Sequence, residues 1–325
     1  MLLSVCLITY NQVGYIEQAI ESVLMQEAGF TWELVIADDG STDGTRDILL
    51  KYKKEYPELI KLILQKKNVG AYRNWMDLIT YPQSNYIAYL DGDDYWTDAH
   101  KLQKQVFFLE ANPDYAICTH HVDIVKDGIV QPSENFGLRN DGNFNIAELA
   151  EGNFIYSPSV VYRNGLIDEF PAWLEMSPVG DYVLHLLNAK KGRIKYMSDT
   201  MAIYRQHSNG SWWAQPSASM LEKWIQVLSF LLSEKFDKNI LQILNNQKRK
   251  ICLQYLLALL DTDPVLFKTK LDELTTQLPE LSKDLVFNKF IDDHFELREV
   301  KNKYNNLKNS RLRKYLSYFF KQLKT

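Results

Sequence analysis

Four short apolar runs open this chain: Leu2 to Ile8, Trp32 to Ala37, Leu59 to Leu64 and Tyr86 to Leu90. They alternate with segments of helical spacing, Tyr15 to Met25, Thr45 to Tyr56 and Ala71 to Ile79. In the first of these Ile16, Ala19, Ile20, Val23 and Leu24 fall on one face. Uninterrupted apolar runs of this length read as strands covered on both sides. The βαβαβαβ order predicts an α/β fold, a mostly parallel sheet with helices on both faces. Ligands bind such sheets beyond the carboxyl ends of the strands. The polar clusters sit there: Thr9-Tyr10-Asn11, Asp38-Asp39, and Asp91 to Asp94. Three strands thus deliver side chains to one rim.

The last cluster carries the sharpest chemistry. Acids crowded at the end of a buried strand repel one another unless a cation joins them. Mg²⁺ and Mn²⁺ favour one or two carboxylates plus phosphate oxygens over an all-protein cage. Asp91 and Asp93, spaced to straddle such an ion, therefore suggest an enzyme working on an activated nucleotide.

Composition excludes other classes. Of 325 residues 46% are hydrophobic and 24% charged, as in a soluble globular protein, and a net charge of −4 gives nucleic acid no footing as a partner. Cys6, Cys118 and Cys252 lie far apart, without metal spacing, and read as reduced, mostly buried thiols. The start of the chain lacks a basic signal-peptide region, and no apolar stretch reaches the roughly 18 residues of a spanning helix. The expected location is cytoplasmic, with attachment to the inner face of the membrane left open.

After Asn112-Pro113 the pattern loosens. Tyr115 to His121 and Val122 to Lys126 are expected as strands, with Asp127-Gly128 as a hairpin turn. Asn153 to Val161 is expected as a sheet element, Asp181 to Ala189 as a short helix and Ile194 to Met197 as a strand. From Ser217 onward the chain reads as helical. These signals divide it into residues 1–214 and a helical extension, 215–325.

With these motifs in view, the chain resembles the family 2 glycosyltransferases, inverting enzymes of the GT-A fold. The resemblance covers about residues 2–212. It rests on Ser4-Val-Cys-Leu-Ile-Thr-Tyr-Asn11, Ala37-Asp-Asp-Gly-Ser-Thr-Asp43, Asn68-Val-Gly70, Asp91-Gly-Asp-Asp94, Gly180-Asp181 and Tyr204-Arg-Gln-His207. It implies that Asp39 accepts the imide N–H of uracil, with Asp38 beside it toward base or ribose and Thr9, Tyr10 and Asn11 lining the same pocket. Asp-Gly-Ser is equally ordinary turn chemistry. Asn68 and Gly70 would border the nucleotide, Gly70 through close backbone approach or merely as a helix-start glycine. Arg73 is a candidate for the diphosphate. Asp91 and Asp93 match the family's D-x-D pair, Asp91 on ribose or a metal-bound water and Asp93 on Mn²⁺ or Mg²⁺. His207 is a further candidate ligand and Arg205 a further phosphate contact. Asp181 matches the base that takes the acceptor hydroxyl's proton, and Asp also favours a helix N-cap. Relatives often carry Glu before this Asp, where Gly180 stands here. Asp94, Trp212 and Trp213 are candidates for the acceptor side, the two Trp serving equally well as packing.

The implied reaction is inverting transfer of a hexosyl or N-acetylhexosaminyl group from a UDP-sugar to a saccharide or lipid-linked acceptor, in surface polysaccharide or glycoconjugate assembly. A sugar nucleotidyltransferase and a catalytically silent binding subunit are the alternatives. Residues 301–325 are basic, with Leu312, Tyr315, Leu316, Phe319, Phe320 and Leu323 at helical spacing. That pattern reads as peripheral membrane contact or as docking on protein. A homo-oligomer is compatible with the sequence.

Overall fold

The computed structural model describes residues 1–133, 140–207, 217–278 and 281. The expected alternation is present: β1 (Leu3–Thr9), α1 (Ile16–Leu24), β2 (Trp32–Asp38), α2 (Thr45–Glu55), β3 (Ile60–Leu64), α3 (Ala71–Ile79) and β4 (Tyr86–Asp91). There follow β5 (Tyr95–Trp96), α4 (Lys101–Ala111), β6 (Tyr115–Lys126), β7 (Ile129–Pro132), β8 (Gly142–Phe144), α5 (Ile146–Glu151), β9 (Val161–Arg163), α6 (Asp181–Ala189) and β10 (Arg193–Gln206). The helices α7 (Ser217–Leu231), α8 (Lys238–Thr262) and α9 (Pro264–Gln277) complete the described chain.

The sheet runs β3-β2-β1-β4-β9-β6-β10-β5, with β7 beside β6 and β8 beside β10. The four strands of the first half pair in parallel. Their centre is β1, and Leu3, Val5, Cys6 and Leu7 have no exposed surface because both neighbours and both helical layers cover it. Burying each such side chain stabilises the fold by about 1.5–3 kcal/mol. The second half is mixed, since β9 runs antiparallel to both β4 and β6 while β10 is parallel to β6. Two antiparallel steps restore the direction, so the carboxyl ends of β4 and β10 point the same way. This is the GT-A type of α/β sheet.

Three expectations change. Tyr115 to Lys126 is one strand, because Val122 continues the buried face. Asn153 to Val161 is mostly not sheet; a 3-10 turn at Ser157–Ser159 precedes a three-residue strand. The expected Ile194 to Met197 strand extends to Gln206, with register shifts around Thr200. Polar Ser198-Asp199-Thr200 masks that continuity, as Ser198 bonds Asp141 and Asp199 pairs with Lys104 at the surface.

The chain divides into two compact units. One comprises Met1–Pro216 and Gln226–Gln247; the other comprises Ser217–Ile225 and the chain from Lys248 onward. The second has its own apolar core, including Ile225, Cys252, Leu256, Phe267 and Leu271. Among the described residues no helix is long and apolar enough to cross a membrane. The basic segment 301–325 lies outside the described residues. All three cysteines are buried and unpaired.

At the start of α4 a lysine is wholly enclosed. Lys101 Nζ lies 2.8 Å from Gln105 Oε1 and 4.2 Å above the Trp96 ring. Burial pushes its amine down to about 7. The unfolded chain therefore holds one more proton than the folded chain between about pH 7 and the ordinary lysine value of 10.5. Stability should rise with pH across that interval and carry the full penalty below it. Lys101→Met should flatten this slope, read as denaturant midpoints at a series of pH values.

Candidate functional site

Backbone hydrogen bonds continue past the strand ends and gather the polar clusters around the end of β1. The carbonyl of Ile8 accepts from Gly92 N at 2.9 Å, and that of Thr9 from Asp39 N at 3.1 Å. The Asp91-Gly-Asp-Asp94 loop thus lies tight on β1. A Cβ at Gly92 would fall 2.5 Å from Gln12 Oε1 and 3.0 Å from Ile8 O, so glycine is dictated by that approach.

Asp38 and Asp39 diverge in use. Asp38 has no exposed surface; its carboxylate accepts from Arg46 Nε at 2.8 Å and from Ser41 N at 3.2 Å. Arg46 also reaches Gln65 O, so the pair ties the end of β2 to α2 and β3. The expected orientation of Asp38 toward base or ribose is not what this geometry serves, because its charge is already neutralised inside the fold. Asp39 accepts from Val69 N at 2.7 Å with one oxygen and from Gly70 N at 3.2 Å with the other. It clamps the loop that opens α3, leaving a lone pair on each oxygen for a ligand donor.

The remaining nucleotide-side candidates are scattered in role. Thr9 is buried and donates to Gln12 Oε1. Asn11 takes a left-handed φ of 51° and accepts from Thr42 N, stitching two loops together. Tyr10 presents an exposed ring. Asn68 Oδ1 accepts from Gly70 N. At Gly70 a Cβ would meet no protein atom, so φ of 93° is the reason for glycine here. Arg73 is exposed and paired with Asp77 one turn along α3, so the structure gives it a surface partner.

Of the rim acids Asp94 is buried, and Asp91 and Asp93 are partly so. Asp91 accepts from Tyr89 Oη at 3.1 Å and from Ser157 Oγ at 2.5 Å. Burial, then the charge of Asp93, pushes its carboxyl up to about 7, and Asp181 adds to the shift. Asp94 is buried, accepts from Arg205 N at 2.8 Å and leaves Oδ2 unpartnered, its carboxyl raised by burial and by both neighbouring aspartates. Asp93 is 19% exposed and lies 3.0 Å from His207 Nε2. Arg205 donates to the Asp93 carbonyl and to Gln18, its guanidinium lying over the rings of Tyr15 and Tyr95. The His207 ring packs on Tyr15, and its Nδ1 is buried without a partner.

Asp181 occupies the first turn of α6, one residue inside the N-cap Gly180. Its Oδ1 accepts from Tyr182 N at 2.7 Å, while burial raises its carboxyl. Trp212 and Trp213 lie outside the described residues. Cavities of about 540 and 320 Å³ lie instead around Pro82, Arg163 and Gly165, by the amino end of β4.

Among the described residues no three acid, histidine or cysteine side chains converge as a metal cage. Asp91 accepts one bond on each oxygen, from Tyr89 and from Ser157, which orients the carboxylate and leaves a lone pair on each oxygen. The carboxylate of Asp93 and the imidazole of His207 are donor types that suit a phosphate-bearing ion, and in this structure they bond to each other at 3.0 Å. Sequence reasoning missed Tyr89, Ser157, Gln18 and Tyr95. Tyr89 and Tyr95 flank the acid motif and offered a signal; Ser157 and Gln18 offered none.

Residues 4–170 match the family model described as glycosyl transferase family 2. An uncharacterized protein of Mycobacterium tuberculosis is 37% identical over 211 residues, 65% of this chain and 60% of the relative. The match thus spans about three fifths of that relative's length. The Escherichia coli UDP-Glc:α-D-GlcNAc-diphosphoundecaprenol β-1,3-glucosyltransferase WfgD is 34% identical over 34% of this chain and 42% of its own. Staphylococcus aureus TarS with UDP-GlcNAc superposes with TM-score 0.57 at 18% identity, covering 94% of this chain and 80% of that one. The Pyrobaculum calidifontis mannosyltransferase PcManGT, solved with GDP-Man and Mn²⁺, gives 0.55 at 15% identity, covering 89% and 82%. These structures share the fold.

Gly92→Ala should push the acid loop off β1, lowering stability by about 1–3 kcal/mol. Thermal unfolding measures the loss.

Proposed function

Because this chain belongs to glycosyl transferase family 2, we propose that it transfers a sugar, with inversion, from a UDP-sugar to a hydroxyl of a saccharide or lipid-linked acceptor. The observation that carries this reading is the gathering of the Asp38-Asp39 and Asp91-Gly-Asp-Asp94 loops on the end of β1, where the carbonyls of Thr9 and Ile8 hold them. An acid that reads the base and acids beside a leaving diphosphate need that proximity.

Asp39 takes the imide N–H of uracil with a lone pair its backbone partners leave free, and Tyr10 offers its exposed ring to the base. Asp91, kept in place by Tyr89 and Ser157, faces the ribose or a metal-bound water. Asp93 and His207 would hold Mn²⁺ or Mg²⁺, which would neutralise charge on the departing diphosphate. Arg205 keeps Asp93 in register through its carbonyl. Asp94 stays with Arg205 N and offers its second oxygen to the sugar. Asp181 then removes the proton of the attacking hydroxyl. Burial raises its basicity, and the bond from Tyr182 N moderates it. UDP donors in WfgD and TarS, the lipid-diphosphate acceptor of WfgD and the Mn²⁺ of PcManGT support the substrate and cofactor classes. Surface polysaccharide assembly, at the inner membrane face, is the setting we assign. Residues 1–214 are the region we assign to sugar transfer.

Asp181→Asn should retain UDP affinity and lose transfer by about 10²–10⁴-fold. Unchanged transfer removes the base assignment. In the wild type the rate should fall as pH drops through a limb above the ordinary carboxylate range, because protonated Asp181 cannot accept the hydroxyl proton. Asp93→Ala should abolish the Mn²⁺ dependence of UDP binding, whereas retained dependence excludes Asp93 as a ligand. Calorimetry with UDP and a screen of UDP-, GDP- and dTDP-sugars provide these readouts.

A further inference from the structure

The turn that launches α6 rests on an aromatic ring from α3. A Cβ on Gly180 would lie 3.5 Å from Cη2, Cζ2 and Cζ3 of Trp75 alike. The backbone there is ordinary (φ −96°, ψ −39°), so conformation does not demand glycine. The missing side chain leaves room for an indole that is only 7% exposed. Ordinary van der Waals contact at 3.5 Å tolerates a methyl group, whereas a longer side chain must displace the ring.

Both ends of this contact are fixed to functional parts. On one side, α3 begins at the loop whose Val69 and Gly70 amides the Asp39 carboxylate holds. Asn74 Nδ2, beside Trp75, donates to Ala37 O at 3.2 Å and anchors the helix on β2. On the other side, Leu184 N bonds Gly180 O at 3.0 Å, drawing Gly180 into the first turn of α6. The Asp181 carboxylate is bonded to the amide of Tyr182, so its position follows the start of the helix.

We propose that Trp75 is a positioning residue for Asp181: by packing on Gly180 it sets the start of α6 and couples it to the loop that Asp39 clamps. This rests on Asp181 being the base. A displacement of about 1 Å at a reacting group can cost about 10²-fold in rate, so modest repacking here registers in turnover while the nucleotide contacts stay intact.

The test uses the full chain with Mn²⁺, UDP as calorimetric probe, and UDP release from UDP-glucose and UDP-N-acetylglucosamine as the rate. Trp75→Ala and Gly180→Leu should each lower kcat by about 10–10²-fold with UDP affinity unchanged, and Trp75→Phe should lose less. The double variant Trp75→Ala/Gly180→Leu refills the space and should recover much of the lost kcat. Circular dichroism and thermal midpoints separate misfolding from misplacement. Wild-type kcat in folded Trp75→Ala, or a double variant no faster than the single ones, overturns the proposal. Asp181→Asn in the same assay reports on the underlying reading separately, since full turnover there removes the base whatever the Trp75 variants do.

Discussion

Carboxylates kept from water at one edge of the sheet are the constraint around which the first unit is arranged. Asp91, Asp94 and Asp181 are raised by burial before any neighbour acts on them, and the first two are raised again by nearby acids. The nearest arginine does little to relieve this, because Arg205 gives its guanidinium to the carbonyl of Asp93 and to Gln18. The fold therefore places acids where their charged forms are disfavoured, and its own cations do little to offset this. Such an arrangement costs stability in the free protein and favours whatever brings positive charge to the rim. Under the proposed reading that is a divalent ion carried by a nucleotide diphosphate.

The cost is borne by rigid surroundings. Ile8 and Thr9 carbonyls draw the two acid loops onto one strand end. Asp38 and Arg46 lock the base of the second loop, and Tyr89 with Ser157 fixes both oxygens of Asp91. Each acid thus has at most a small choice of positions. Preorganisation of this kind is what a charged ligand exploits, since little reorganisation remains to be done on binding.

Much of this was legible from the residues. Buried parallel strands are continuous apolar runs, and their ends show because Thr9, Asp38 and Asp91 break the run abruptly. The strand β10 was read at under a third of its length because its middle, Ser198 to Thr200, is polar and exposed, with a register shift between Met197 and Thr200 before the pairing with β6 resumes. Partnerships were less legible than positions. Asp38 and Asp39 are adjacent and chemically identical, yet only one is neutralised by an arginine eight residues later. Ser157 reaches Asp91 from 66 positions away through a 3-10 turn that a strand-like composition disguised. Local pattern states where a chain bends; it does not state which distant hydroxyl will meet a given carboxylate.

The long β10 strand also sets a timetable. The acid loops after β2 and β4 are encoded within the first 94 residues and lie among neighbouring βαβ units, the kind of local wiring that closes quickly. His207 and Arg205 arrive only with the end of β10, which must slot between β6 and β5. A nascent chain emerging from the ribosome can thus assemble its aspartate edge long before synthesis delivers the imidazole that completes the pair.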